Sequence, residues 1–303
     1  MTNPLLVVGS VALDSIETRA GKREEILGGA ATFIALSACH FTPVNIVAVV
    51  GCDDFADEHV ELLTSRGVDV AGLERVEGRT FRWSGVYADD FSSRTTLDTQ
   101  LGVFESFDPR LPQNYQGARF LLLGNIDPAL QLKVLDSVSD DCFTATDTMN
   151  LWIDIARDKL QEVISRTDLL IINDEESLML TGKSQVVVAA EQILKMGPRG
   201  LIIKRGEHGA YLFTEETTFF APAYPLPDVI DPTGAGDSFA GGLMGYLAGQ
   251  GSTSTSDIKK GMIFGTAIAS TTCEGFGVEA TSRLDRPAID RRYEALRKLT
   301  AID

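Results

Sequence analysis

The chain has 303 residues, of which 44% are hydrophobic and 23% charged, and its formal net charge is -16. This length suffices for one large domain with a substantial core, and since we find no linker we predict a single domain over residues 1–303. The acidic balance argues against a nucleic-acid partner, because phosphate backbones select surfaces rich in lysine and arginine.

The sequence shows no sign of export or of membrane insertion. No basic segment followed by a long apolar run opens the chain, and no apolar stretch is long enough to span a bilayer. The four cysteines are scattered without a C-x-x-C pair, which favours free thiols over a disulfide framework or a metal site. We therefore expect a cytoplasmic protein without a membrane partner.

Runs of consecutive apolar residues alternate with helical patterns along the chain. Continuous runs of this kind predict strands of a parallel sheet that is covered on both faces. The predicted strands are Leu5–Val8, Val44–Val50, Phe120–Leu123, Leu169–Ile172 and Leu201–Ile203. The predicted helices are about Ala31–Cys39, Ala56–Arg66, Ala129–Val138, Asp158–Ser165, Val187–Met196, Asp237–Ala248 and Asp257–Thr271. The alternation predicts an α/β fold: a doubly wound, mainly parallel sheet with helices on both faces and ligands beyond the carboxyl ends of its strands.

Two features follow the first predicted strand. Asp14 lies just beyond it, where a carboxylate can accept hydrogen bonds from sugar hydroxyls; the alternative is a solvated loop aspartate. Gly28 and Gly29 precede the first predicted helix and would let a ligand approach the backbone, although they could also form a plain turn.

The segment from Thr80 to Leu101 interrupts this alternation. Residues 81–87 alternate like a strand, Asp89 and Asp90 offer a turn, and Ser93–Leu97 could return antiparallel. A hairpin that does not join a parallel sheet would lie over something else. We predict a small β lid around residues 80–101 or a contact between two copies, with an incidental surface hairpin as the alternative.

Polar residues follow the later predicted strands. Asn125 and Asp127 come after one strand, and Asp147–Asn150 occupies a similar place, so these residues are candidates for hydroxyl contacts. Lys204 follows another strand and could neutralise a nucleotide phosphate. Asn173-Asp-Glu-Glu176 also follows a strand and opens a helix, which suits either water-mediated Mg²⁺ binding or a helix cap.

The most informative run is Asp231-Pro-Thr-Gly-Ala-Gly-Asp-Ser-Phe-Ala-Gly-Gly242. A turn containing proline and glycine leads directly into a helix, so the N–H groups of Gly234, Ala235 and Gly236 are predicted to converge on an anion. Asp237 follows immediately and places a carboxylate beside this anion hole. A base beside an anion hole is what phosphoryl transfer to an alcohol requires, although a lone aspartate at a helix start is usually a cap.

This run resembles the signature of the ribokinase-like (PfkB) carbohydrate and nucleoside kinases, and the similarity extends from Gly9 to Gly277. The resemblance implies ATP-dependent phosphorylation of a primary hydroxyl on a sugar or a related carbohydrate, or alternatively on a nucleoside. A non-catalytic sensor on the same fold is less favoured, because the base and its glycines are present.

The resemblance also implies roles for individual residues. Asp237 would deprotonate the acceptor, and Asp14 with the Gly28–Gly29 pair would frame the sugar. Mg²⁺ would be organised through water by Glu176 with Asn173, and ATP would contact Gly206, with Lys204 and Gly209 in the same turn. A K⁺ ion beside the anion hole would involve Asp231 and Thr233. A small-molecule substrate and a homodimer through the lid complete the expectation.

The substrate half departs from ribokinase itself. Ala12, Ala30 and Phe33 stand where that enzyme carries polar residues, which argues against free ribose as the acceptor. Phe33, with Trp83 on the predicted lid, could face an aromatic base or an apolar sugar face; both could equally belong to the core. Gly182-Lys-Ser184 resembles the end of a P-loop, but Ser177 stands where that motif needs a glycine.

Overall fold

A computed structural model describes residues 3–299 and 301 of the chain, and this part forms thirteen strands and eleven α-helices. The strands are β1 Leu5–Val8, β2 Ala12–Thr18, β3 Gly21–Gly28, β4 Val44–Gly51, β5 Val68–Val76, β6 Arg82–Tyr87, β7 Arg94–Gln100, β8 Phe120–Leu123, β9 Phe143–Asp147, β10 Leu169–Asn173, β11 Gly200–Lys204, β12 Ala210–Thr214 and β13 Thr218–Ala221. The helices are α1 Ala30–Ala38, α2 Asp57–Ser65, α3 Pro128–Leu135, α4 Asn150–Ile155, α5 Arg157–Ser165, α6 Asp174–Thr181, α7 Val186–Leu194, α8 Ala235–Gln250, α9 Thr255–Thr272, α10 Glu279–Arg283 and α11 Arg286–Leu299.

Nine strands form one large sheet in the order β13-β12-β11-β10-β9-β8-β1-β4-β5. The pairs from β5 through β11 are parallel, and the β11–β12 and β12–β13 pairs at one edge are antiparallel. The predicted fold class is confirmed. The carboxyl ends of the parallel strands therefore meet at one edge of the sheet.

Alternate residues of the strands enter cores on opposite faces of this sheet. On β1, Leu5 and Val7 pack with α1, α8 and α9, whereas Leu6 and Val8 pack on the face covered by α3. On β10, Leu170 and Ile172 enter a third apolar cluster with α5 and α7. Burial on both faces explains why these strands are continuous apolar runs.

A second sheet of four strands has the order β3-β2-β6-β7. The hairpin predicted around residues 80–101 is its β6–β7 half, and residues 12–28 supply β2 and β3. β2 pairs parallel with β6 and antiparallel with β3, so two segments distant in sequence build one small sheet. Asp14 consequently lies within β2 rather than in a loop.

The five predicted strands and seven predicted helices are present, with their ends shifted by a few residues. The sequence analysis missed β2, β3, β5, β9, β12 and β13, and also α4, α10 and α11. β3 shows why, because five of its eight residues are exposed and charged or glycine, so it has no apolar face to recognise.

The glycines inside α8 serve helix packing. A Cβ at Gly241 would lie 2.4 Å from the Ile34 carbonyl oxygen on α1, and one at Gly242 would lie 2.9 Å from the Gly265 Cα on α9. Side chains at these positions would separate the three helices. Since α1 and α8 both begin at the carboxyl edge of the sheet, this close packing brings their first turns together.

Within the described residues, no helix is long and apolar enough to cross a membrane. The four cysteines are free thiols, of which Cys142 is buried and Cys52 exposed.

Candidate active site

The start of α8 has the geometry that its glycines predict. Gly234 adopts a left-handed conformation, with φ 74°, and its carbonyl accepts the Ser238 N–H at 2.8 Å, so the helix begins directly after it. The Ala235 N–H donates to the Pro232 carbonyl at 3.2 Å. Within residues 3–299 and 301, no acceptor contacts the N–H of Gly234 or Gly236. Two of the three predicted donors therefore remain available at the positive end of the helix.

Phe33 lies beneath this turn rather than in an open substrate pocket. Its side chain is 1% exposed on α1, and a Cβ at Gly234 would lie 2.4 Å from the ring. The ring supports the turn from the core side, so an aromatic contact between Phe33 and a ligand is not what this geometry offers.

Asp237 lies in the first turn of α8, where it keeps partial solvent contact. Burial raises the pKa of its carboxyl to about 7, assisted by the negative charge of Asp147 and opposed by Lys204 and Arg94. A carboxyl that titrates near neutral pH is suited to accept a proton from an alcohol.

Asp14 and the glycine pair lie together at the ends of β2 and β3. Asp14 is 5% exposed, and its Oδ2 would be 1.9 Å from a Cβ at Gly28, so only glycine fits beneath the carboxylate. Burial raises the pKa of Asp14 to about 7; the Gly29 N–H and Arg94 lower it, while Asp231 and Asp237 raise it. The effect of Asp237 on Asp14 indicates that the predicted base and the predicted sugar-binding carboxylate belong to one electrostatic site.

Asp231 ties the turn before α8 to a later loop. It is 0% exposed; its Oδ1 accepts the Thr233 N–H at 2.8 Å, and its Oδ2 accepts the Gly277 N–H at 2.9 Å. Burial raises the pKa of Asp231, and the hydrogen bonds from Thr233 and Gly277 lower it. Thr233 also meets the small sheet, since its hydroxyl lies 3.0 Å from the Tyr87 hydroxyl.

Asn173 and Glu176 form a reciprocal cap at the start of α6. The Asn173 Oδ1 accepts the Glu176 N–H at 2.7 Å, and the Glu176 Oε2 accepts the Asn173 N–H at 2.8 Å. The capping alternative is therefore realised. Burial raises the pKa of Glu176 to about 7, with Lys204 opposing and Asp147 adding to the rise. The second carboxylate oxygen, Oε1, takes no part in the cap.

Lys204 ends β11 and reaches across β10 to Asp147 at the end of β9. Its Nζ lies 3.1 Å from the Asp147 Oδ2, and a Cβ at Gly236 would lie 3.1 Å from the same nitrogen. Lys204 thus places a cation against the first turn of α8, where an anion is expected. Sequence reasoning treated Asp147 as a candidate for hydroxyl contacts and did not connect it with Lys204.

The turn after β11 contains Gly206, with φ 52°, and Gly209, with φ 82°. Gly206 faces open space, whereas a Cβ at Gly209 would lie 2.3 Å from the Ala221 carbonyl oxygen. Gly206 therefore leaves room for a ligand, and Gly209 permits close contact with β13.

Asn125 and Asp127 are engaged within the protein. The Asn125 Oδ1 accepts the Trp152 indole N–H at 2.8 Å, and its Nδ2 lies 3.0 Å from the Met149 sulfur. Asp127 caps α3 by accepting the Ala129 N–H at 2.7 Å. Both side chains therefore have hydrogen-bond partners within the protein.

The small sheet contributes two side chains that sequence reasoning did not identify, Tyr87 and Arg94, which are cross-strand partners. Arg94 lies 5.2 Å from the centre of the Trp83 ring and acts electrostatically on both Asp14 and Asp237. Both residues lie in the segment predicted as a lid, and this was the available signal. Which side chains of each strand face the site could not be predicted without knowing the neighbouring strands.

No three His, Cys, Asp or Glu side chains within residues 3–299 and 301 form a ready-made metal cage. The carboxylates of Asp147, Glu176 and Asp237 instead surround Lys204 and all act on its ammonium. Of the three, Glu176 keeps its Oε1 outside the helix cap, and this oxygen suits a cation that retains most of its water ligands, as Mg²⁺ does.

The chain is similar to known proteins over most of its length. Residues 4–284 match the model of the pfkB family carbohydrate kinases. Among curated proteins, the chain is 32% identical over 253 residues to a cytidine kinase from Thermococcus kodakarensis, covering 81% of this chain and 89% of that protein.

Solved structures show the same fold. A ribokinase from Thermotoga maritima matches with a TM-score of 0.77 and 23% identity, over 96% of this chain and 99% of that one. A nucleoside kinase from Methanocaldococcus jannaschii matches with a TM-score of 0.76 and 20% identity, over 97% and 99% of the two chains.

Proposed function

Because the chain belongs to the pfkB family of carbohydrate kinases, we propose that it transfers the γ-phosphoryl group of ATP to a hydroxymethyl group, with Asp237 as the general base. Its family and its named relatives are ATP-dependent kinases, so the chain is a kinase that acts on a sugar or a nucleoside. ATP with Mg²⁺ is the cofactor that this family membership implies.

The observation that carries the proposal is the position of Asp237 beside unpartnered N–H groups at the start of α8. Since burial brings the pKa of this carboxyl to about 7, it can take the acceptor proton near neutral pH. The N–H groups of Gly234 and Gly236 stabilise negative charge on the transferring group, and removing one such donor typically costs about 3 kcal/mol. Ala235 contributes through the shape of the turn.

The cofactor contacts belong to the same proposal. Glu176 and Asn173 hold the waters of Mg²⁺, which neutralises phosphate charge when bound. Gly206 and Gly209 shape the nucleotide contact beside Lys204. Asp231 is a fully buried carboxylate whose partners in the described chain are neutral N–H groups, which supports a K⁺ ion near Asp231 and Thr233.

A nucleoside acceptor is favoured by the placement of Trp83. This residue pairs with Asp14 across β2 and β6, and a Cβ at Gly85 would lie 2.3 Å from its indole ring, so the ring lies flat on the small sheet. The Arg94 guanidinium lies over the indole, 5.2 Å from the ring centre, so with sugar hydroxyls on Asp14 a planar base would meet a surface formed by Trp83 and Arg94 together. A free pentose would leave the surface unused.

The first experiment measures ATP consumption with pentoses, hexoses, sugar phosphates and nucleosides, for the wild type and for Asp237→Asn. We expect turnover with at least one neutral acceptor and a loss of kcat of about 10²- to 10⁴-fold in the variant. Asp257→Asn is a matched control, since Asp257 occupies the first turn of α9 outside the site, and it should keep wild-type turnover. Full activity of Asp237→Asn, or no turnover with any compound, would refute the mechanism.

Trp83→Ala separates the two acceptor classes. If the base rests on the indole, the variant should raise KM for a nucleoside by about tenfold, because base–aromatic stacking is worth about 1–3 kcal/mol. KM for ATP should stay unchanged. If the wild type and the variant have equal KM values for the best nucleoside, the acceptor is better assigned as a simple sugar.

Two further predictions concern the whole protein. The outer strand β7 is exposed along its length, which leaves an open edge for a homodimer through the small sheet. Light scattering of the purified protein tests this assembly. We expect the enzyme to act in the cytoplasm, where ATP is available.

A further inference from the structure

Lys204 and Asp147 form an ion pair that spans a neighbouring strand. They end β11 and β9, and β10 lies between them, so the pair bridges two inter-strand spacings, together roughly 10 Å. The ammonium lies 3.1 Å from one Asp147 oxygen and 3.4 Å from the other. The side chains are 18% and 7% exposed, so this pair is largely removed from water.

The position of this ammonium is unfavourable without an anion. It lies against Gly236, in the first turn of α8, where the helix dipole and the unpartnered N–H groups already favour negative charge. Burial lowers the pKa of Lys204, but Asp147, Glu176 and Asp237 outweigh it, so the pKa is raised and the side chain stays charged. Asp147 is the one of these carboxylates that holds the ammonium directly.

Asp147 is itself fixed in place. Its Oδ1 accepts the Thr148 N–H at 2.9 Å, and its main-chain carbonyl accepts the buried Gln131 side chain at 3.1 Å. The carboxylate therefore cannot follow Lys204 if the ammonium moves toward a bound phosphate. Because the Asp147 carboxylate is fixed and the Lys204 side chain is long and flexible, the ammonium can pair first with Asp147 and then with a bound phosphate.

We propose that Asp147 is a positioning residue of the phosphoryl-transfer site, which holds the Lys204 ammonium at the start of α8 and thereby sets the charge around Asp237. The inference rests on the proposed function, since it takes Asp237 as the base. Without substrate the ammonium stays on Asp147, and when the γ-phosphoryl group enters, the ammonium turns toward it. Asp147 then remains as a negative charge close to the base.

The two partners of the pair act on Asp237 with opposite sign. Asp147 raises the pKa of Asp237 and Lys204 lowers it. The other charged groups facing this carboxyl belong to separate elements and stay unchanged in the test; they are Arg94 on β7, Asp14 on β2 and, through Lys204, Glu176 on α6.

The experiment measures kcat/KM as a function of pH for Asp147→Asn and Lys204→Met, each relative to the wild type. The quantity compared is the midpoint of the acid limb, where activity falls as Asp237 becomes protonated. Asp147→Asn should move the limb to lower pH and Lys204→Met to higher pH, each by roughly one unit. Lys204→Met should also raise KM for ATP, and Asp147→Glu should restore the wild-type limb. Asp168→Asn is the matched control, since Asp168 pairs with Arg199 at the opposite end of the same sheet, and its limb should not move.

A double variant keeps the test decisive if one single variant does not fold. Asp147→Asn/Lys204→Met removes both members of the buried ion pair together, so it should fold, turn over slowly and show an acid limb near that of the wild type. Shifts in the same direction for both single variants, or a double variant with wild-type kcat, would overturn the inference. If Asp237→Asn is inactive while Asp147→Asn leaves the limb unmoved, only this inference fails. If Asp237→Asn is active, the proposed function fails as well.

Discussion

At the scale of single residues, the site depends on glycines because neighbouring atoms occupy the space that a Cβ at these positions would need. The Phe33 ring fills the space where Gly234 would carry a Cβ, and the Asp14 carboxylate fills the space at Gly28. Each glycine is therefore matched to a particular partner. Substitution would displace that partner and not merely stiffen the backbone.

Gly234→Ala should lose both stability and activity. The left-handed backbone costs about 1–2 kcal/mol for a residue with a Cβ, and the contact with Phe33 adds to this. Because the turn carries the anion hole, kcat/KM should fall at least about 100-fold. The measurements are urea unfolding and steady-state kinetics.

Gly182→Ala is the matched control for this variant. Gly182 has φ 67° at the end of α6, and nothing lies within 4 Å of its Cβ position. It should lose only the backbone contribution and keep wild-type activity. If the two variants lose equal stability and Gly234→Ala stays active, the Phe33 contact has no functional weight.

Site residues could be predicted from the sequence where they belong to a contiguous motif. The D-P-T-G-A-G-D run and the Gly28–Gly29 pair are contiguous, so their spacing alone predicted a helix start and a close approach. The partner of Lys204 was not readable, because Asp147 lies 57 positions away and only the sheet order brings the two together. The choice for Phe33 between a substrate contact and a place in the core was also not readable, because its helix was predicted without its packing partner.

At the scale of elements, three contacts connect the small sheet to the loop before α8. The Thr18 hydroxyl donates to the Ile230 carbonyl at 2.8 Å, Arg19 pairs with Asp228, and the Tyr87 hydroxyl meets Thr233. The sheet that carries Asp14 is thereby held against the turn that carries the anion hole. Under the proposed function, these contacts would position the acceptor relative to the phosphoryl group.

Tyr87→Phe should loosen this connection without removing a catalytic group. One hydrogen bond is worth about 0.5–1.5 kcal/mol, so KM for the acceptor should rise about two- to tenfold while kcat stays within about twofold. Tyr211→Phe on β12, away from the small sheet, should leave both constants unchanged. An unchanged acceptor KM in Tyr87→Phe would show that the contact with Thr233 does not position the substrate.

Half of the small sheet was predictable and half was not. β6 and β7 form a hairpin whose alternation and turn are local. β2 carries Asp14 and β3 is mostly charged, so neither looks like a strand without the parallel pairing between β2 and β6. Pairing between distant segments overrides weak local propensity.

At the scale of the whole molecule, three buried carboxyl groups make stability depend on pH. Burial raises the pKa of Asp14, Glu176 and Asp237 to about 7. Carboxyl groups of the unfolded chain titrate near pH 4, so the folded protein binds more protons between about pH 4 and 7. These groups stabilise the protein at low pH, and their contribution is lost as the pH rises through 7.

The free energy of unfolding without ligand should therefore be lower at pH 8 than at pH 5.5. Each unit of pKa shift corresponds to about 1.4 kcal/mol, and about 1.5 units of each shift lie above pH 5.5, so we expect a fall on the order of 2 kcal/mol per group. The free energy of unfolding of Asp237→Asn should fall less over the same interval, because one of the three groups is removed. Charge repulsion within this highly negative chain is common to both proteins. Urea unfolding at the two pH values measures these free energies. An equal change between pH 5.5 and pH 8 in the wild type and the variant would contradict the prediction.

The main architecture was predictable because its signal is strong and repeated. Each parallel strand from β1 to β11 that was predicted is a continuous apolar run, which a sheet buried on both faces requires. The edge strands β12 and β13 and the outer strand β5 are partly exposed, so their patterns are mixed and were missed.

The small sheet also constrains the order in which the chain can fold. β2 pairs with β6, which emerges about seventy residues later, so this pairing cannot form before the intervening chain from β3 to β5 has been synthesised. The loop that fastens this sheet, residues 228–233, is synthesised later still. During translation the large sheet can begin to assemble from its N-terminal strands, but the small sheet, where we propose that the acceptor binds, cannot make its contacts with residues 228–233 until most of the chain has been synthesised.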